Sequence, residues 1–132
     1  MTKTMRGAFC ALVAMLLCVA PPAFAQKTIP IGASSASAAQ EVVPASPGQQ
    51  TTILAGMVMP NASGTVKWVY GTGTNCGTGT TNLTDAMNVT AQAGFLVGDG
   101  SGPMIVVPAG QALCIVPSAT SVGVGYITYT QR

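Results

Sequence analysis

From residue 51 onward, apolar and polar positions alternate in short runs separated by clusters of Gly, Pro, Asn, Ser and Thr. A period of two places successive side chains on opposite faces of an extended strand. Thr65-Val-Lys-Trp-Val-Tyr70 sets Val66, Trp68 and Tyr70 on one face and Thr65, Lys67 and Val69 on the other. Near the end of the chain Val122, Val124, Tyr126, Thr128 and Thr130 share one face, and Gly123, Gly125, Ile127 and Tyr129 share the other. Residues 51–59 are apolar and rich in strand-forming types, and Pro60-Asn-Ala-Ser-Gly64 is a turn. The two runs flanking that turn predict a hairpin. Further short strands are predicted at residues 88–92, 94–97, 104–107 and 112–116, the last two joined by Pro108-Ala-Gly110, while 71–81 and 98–103 read as loops. No helical period longer than a turn follows residue 25. About eight short strands with turn signals every ~8–12 residues predict an all-β chain, a single small antiparallel β-sandwich of jelly-roll-like form.

The segment before residue 51 has another character. Thr28-Ile-Pro-Ile-Gly32 can form a short edge strand, residues 33–40 are a low-complexity connector, and Glu41-Val-Val-Pro44 is a second extended piece. Residues 26–48 are therefore expected to be a flexible or edge-strand N-terminal arm, followed by a sandwich domain over 49–132. Ahead of the arm, Lys3 and Arg6 precede an apolar run over residues 8–20 and an Ala23-Phe24-Ala25 site behind a proline pair. That order is the order of a secretory signal, so residues 1–25 are expected to be a cleaved signal peptide and the protein to be exported, to the periplasm, the cell surface or beyond. The apolar run is short for a bilayer span, so no membrane span is expected in the mature form.

Charge then narrows the function classes. Beyond residue 25 the charged residues are Lys27, Lys67 and Arg132 against Glu41, Asp85 and Asp99, which cancel. With no basic patch to hold phosphates, nucleic acid is not an expected partner. The chain has no histidine, the commonest general base. Asp85 and Asp99 are the carboxylates that could act as a glycosidase pair, but they are far apart in sequence and fall in different loops. No enzyme activity, metal or cofactor is expected. The glycine pairs of 71–79 lack the lysine and helix start of a phosphate loop. Asp99 in Gly98-Asp-Gly-Ser-Gly102 is a turn residue, too poor in neighbouring carboxylates for calcium. Three Asn-x-Ser/Thr sequons, at Asn61, Asn82 and Asn88, arise readily in a Thr-rich chain. Of the four cysteines, Cys10 and Cys18 lie within the signal segment, which leaves Cys76 and Cys114 to form a disulfide in an oxidising compartment.

Tyr70-Gly-Thr-Gly-Thr-Asn-Cys-Gly-Thr-Gly-Thr-Thr-Asn-Leu-Thr84, together with Ala91-Gln-Ala-Gly94, Val107-Pro-Ala-Gly110, Ala112-Leu-Cys114 and Tyr126-Ile-Thr-Tyr129, resembles a group of small Gly/Thr-rich β-sandwich domains found in bacteriophage virion proteins and in related exported proteobacterial proteins. The similar stretch covers about half the chain. The resemblance implies a β-sandwich and a structural role, and it brings no catalytic or ligand residues with it.

Two functions are consistent with these observations. One is an exported, non-catalytic structural or assembly protein that packs against itself, as a homo-oligomer, or against other surface proteins. The other is a module that binds carbohydrate or a surface. For the second, Trp68, Tyr70, Tyr126 and Tyr129 are the aromatics available for stacking, and their alternation assigns most of them to the core.

Overall fold

The computed structural model describes residues 25–32, 38–118 and 123–132. The signal-peptide expectation falls on residues 1–24, outside the described residues, apart from Ala25. Ten strands follow in order: β1 Lys27–Ile31, β2 Gln40–Val43, β3 Thr51–Met59, β4 Gly64–Thr72, β5 Thr78–Asn82, β6 Met87–Val89, β7 Phe95–Asp99, β8 Ile105–Val107, β9 Ala112–Pro117 and β10 Val124–Gln131. A 3₁₀ turn, Thr74–Cys76, links β4 to β5. Among the described residues no helix is long and apolar enough to cross a membrane.

The strands form two antiparallel sheets. The first has the order β1-β10-β3, with β7 and β8 lying end to end along the free side of β3; the second has the order β2-β9-β4, with β5 and β6 end to end along β4. The pairing is nested. The first strand pairs with the last, the second with the last but one, β3 with β7 and β8, and β4 with β5 and β6. Two further ladders, β10 on β3 and β9 on β4, complete the sheets. This is the wrapped double sheet of a jelly roll, in agreement with the fold class read from the sequence.

Each split edge is stitched by one or two residues of the strand beside it. Between β5 and β6, the N–H groups of Leu83 and Thr84 donate to the Trp68 carbonyl at 2.8 and 3.3 Å, and the Trp68 N–H donates to Thr84 Oγ1 at 3.0 Å. Between β8 and β7, the Met104 N–H donates to the Ile53 carbonyl and the Gly100 N–H to the Leu54 carbonyl. Backbone groups that two short strands leave unpaired are thus satisfied from the connecting turns.

The core lies between the sheets. Ile31, Ile53, Val58, Val97, Val107, Ile127 and Tyr129 face it from the first sheet, and Val43, Val66, Trp68, Leu113 and Ile115 from the second. A smaller buried group, Val69, Cys76, Ala112 and Cys114, lies on the opposite face of the second sheet, since Val69 and Cys114 are register partners one step along from the inward pair Trp68 and Ile115.

Two local expectations meet a different arrangement. The segments flanking Pro60–Gly64 do not form a hairpin: β3 lies in the first sheet and β4 in the second, so the turn crosses the sandwich. Both strands are interior strands with apolar residues wanting cover, and a buried Pro60, without an N–H, ends the β3 ladder. Residues 71–81 are not simply a loop, because β4 runs to Thr72 and Thr78–Asn82 returns beside it. In the 26–48 arm, β1 lies at the edge of the first sheet on β10, and Ile31 is buried. The arm's second piece, β2, edges the other sheet and buries Val42 and Val43.

Candidate functional site

Cys76 and Cys114 are joined by a disulfide, with Cα atoms 6.3 Å apart. The bond ties the 3₁₀ turn to β9 across the outer face of the second sheet. Asn75 and Cys76 in that turn both adopt positive φ, 53° and 56°. The Asn75 side chain accepts the backbone N–H of Glu41 at 3.1 Å, which fastens the turn to β2 as well. One face of the sandwich is therefore covered by its own covalent and hydrogen-bonded cap, and the role of the two cysteines there is structural.

The acidic residues do not converge. Glu41 lies on β2, Asp85 in the connection between β5 and β6, and Asp99 at the end of β7 in the opposite sheet. Asp99 Oδ1 accepts the N–H of Ser101 at 2.9 Å and its hydroxyl at 2.5 Å. These bonds, the hydroxyl first, hold its carboxyl below its ordinary pKa. Among the described residues no group of three or more His, Cys, Asp or Glu side chains is placed to hold a metal ion. The glycine–threonine segment forms a tight strand connection with one 3₁₀ turn, and no α-helix starts there.

Of the four aromatics considered for stacking, Trp68 and Tyr129 are core residues and Tyr70 packs against the core. Tyr126 is exposed. Its surroundings define the outer face of the first sheet. Register places Pro30 of β1 opposite Tyr126, Tyr126 opposite Met57 of β3, and Met57 opposite Leu96 of β7. Each of the four is followed or preceded along its strand by a residue buried in the core: Ile31, Ile127, Val58 and Val97. By alternation the four side chains share the outer face. They form one apolar row across four strands, and Val124 opposite Met59 extends it on one side.

Leu96 is 72 % exposed, Val124 60 % and Tyr126 42 %, values that belong to an uncovered surface. On the other side the next row is polar: Thr28 and Thr128 share a hydroxyl–hydroxyl bond of 2.9 Å, and Ala55 leads to Asp99 at the sheet edge. Within the apolar row there is no charge. The sequence carried one sign of this face, since β3 is apolar on both sides, with Leu54, Met57 and Met59 interleaved among Ile53 and Val58. The row itself depends on the register of four strands distant in sequence.

Compared with known proteins, the chain matches no family model, no curated protein and no solved structure.

Proposed function

We propose that this is an exported, non-catalytic structural protein that assembles by packing the outer face of its first sheet against a second copy, at the cell surface or in an extracellular or virion-like assembly. The observation that carries this reading is the row Pro30–Tyr126–Met57–Leu96, aligned across four strands and uncharged. Contiguous exposed apolar surface on a soluble domain marks a contact site. A face without charge can meet its own copy about a two-fold axis with no like-charge repulsion, whereas a charged partner would find no counter-charge there. The jelly-roll form agrees with this reading by analogy, since the architecture recurs in capsid shells as well as in lectins. The resemblance of the Gly/Thr-rich segments to virion and exported sandwich domains points the same way.

Light scattering of the purified protein across a concentration series tests the reading. The wild-type chain is expected to form dimers or larger species. Leu96→Arg and Tyr126→Lys are expected to be monomeric, with thermal unfolding changed by no more than about 0.5 kcal/mol because both positions are exposed. A wild-type protein that stays monomeric at high concentration overturns the proposal. If such a monomer bound a glycan array and lost that binding with Tyr126→Ala, the face would belong to a carbohydrate site instead.

A further inference from the structure

A second surface feature lies where the sandwich is open, at the seam between β6 of one sheet and β7 of the other. Two cavities meet there, of about 360 and 250 Å³, sharing Met87, Phe95 and Leu96 as a common wall. They differ in character. The smaller runs inward to Trp68, Leu83, Val97 and Ile105, so its floor is the hydrophobic core itself. The larger opens past Asn88 and Thr90, which are exposed and polar. No charged residue lines either cavity. Two methionines, Met87 and Met104, stand in the inner wall, where an unbranched thioether adapts to varied shapes.

We infer that this seam binds a neutral single-chain amphiphile, with its alkyl chain laid between the sheets toward Trp68 and its uncharged polar head at Asn88 and Thr90. The inner cavity sets the chain length. At about 250 Å³ it admits a short alkyl chain rather than a long one, and an eight-carbon chain serves as the probe. The lining sets the head group. No charged side chain stands at the seam to pair with a carboxylate or ammonium, whereas a hydroxyl finds the amide of Asn88 and the hydroxyl of Thr90. The exposed apolar lip formed by Leu96 and Met104 is the surface that such a chain covers on entry.

Trp68 is the only tryptophan in the chain, so its indole N–H gives a single resolved NMR signal at the floor of the cavity. Titration of the full chain with 1-octanol is expected to shift that signal saturably, together with the backbone amides of Met87 and Phe95. Octanoate, with a similar chain and a charged head, is expected to bind roughly tenfold more weakly, because its carboxylate is left unpaired, and glycerol is expected to produce no shift. Asn88→Lys, at an exposed position outside the apolar row of the first sheet, is expected to reverse the preference so that octanoate binds more tightly than octanol. Shifts that do not saturate, equal affinity for octanol and octanoate, or no reversal in Asn88→Lys overturn the assignment. So do shifts confined to Met57 and Tyr126, which report the outer face instead, and a Trp68 shift that follows protein concentration rather than octanol, which reports association of copies at the seam.

Discussion

Ile127 Cδ1 stands where a side chain on Gly56 would begin, only 2.4 Å from the position of a Cβ there, with the Tyr126 carbonyl oxygen at 2.9 Å. The two residues are register partners in the β3–β10 ladder. The absence of a side chain at 56 is what lets Ile127 reach fully into the core.

Gly56→Ala is therefore expected to destabilise the fold by about 1–3 kcal/mol through overpacking. Adding Ile127→Val, which removes the Cδ1 methyl, is expected to recover part of that loss, so the double variant falls short of the sum of the single ones. Urea unfolding of the three variants measures the coupling. Strict additivity would mean that the backbone contact with Tyr126, and not the methyl, carries the cost.

The disulfide closes a loop with a sequence separation of 38. In the chain-entropy account a ring of that size stabilises by about 3–4 kcal/mol, less any native distortion. Replacing both cysteines by alanine is expected to lower the unfolding free energy by that amount, read from denaturant unfolding with m fitted for each protein, since the unlinked unfolded chain expands. Both cysteines are fully buried, so the native protein is expected to resist a mild reductant that reduces the unfolded chain readily.

Asp99 supplies a pH dependence with a defined sign. Hydrogen bonds from the Ser101 hydroxyl and N–H lower its pKa below the ordinary 3.8. A carboxyl whose folded pKa is depressed contributes stability that is complete above its unfolded pKa, near 3.9, and is lost as the pH falls through the folded value. Ser101→Ala is expected to raise the Asp99 pKa toward 3.8 and to narrow the stability difference between neutral pH and pH below about 3. Carboxyl carbon NMR titration checks the first effect directly, and an unmoved midpoint would refute it.

At Gly98, φ is +82°, and a Cβ would lie 2.5 Å from Met104 Cγ and 2.7 Å from the Leu54 carbonyl oxygen. Gly98→Ala combines a disfavoured backbone conformation with contact against fixed backbone, and is expected to cost about 2–4 kcal/mol. Thermal unfolding measures the loss. Gly100→Ala in the same turn, with positive φ but open space around it, is expected to cost only the conformational part.

What the sequence disclosed follows from what a two-residue period encodes. The alternation grouped Val66, Trp68 and Tyr70 on one side of β4, which is the inward side, and set Ile127 and Tyr129 together on β10 without telling which of its two faces is buried. It could not say which sheet a strand joins. The hairpin expected around Pro60–Gly64 became a crossover because a turn of that length serves either purpose, and the choice rests with the distant partners β9 and β10. β5 left no trace because every residue of Thr78–Asn82 is exposed, and its place is set by main-chain bonds to β4. The cysteine pair was legible because only two cysteines lie beyond residue 25. The apolar outer row was not, because Pro30, Tyr126, Met57 and Leu96 come together only once the register is fixed.

The nesting of the strands also dictates an order of events. Among the described residues, β4 and β5 form the only ladder between neighbours joined by a short turn, and each further layer, from β3 with β7 and β8 out to β1 with β10, encloses the one before it. The outermost ladder joins Lys27 to Tyr129, nearly the whole described chain apart. Such a high contact order makes for slow folding, on the millisecond-to-second scale of β-sandwiches, and until the outer layers close, the apolar edges of β3 and β4 stand open to other chains. A newly made molecule therefore passes through a stage in which contact with its neighbours competes with its own completion.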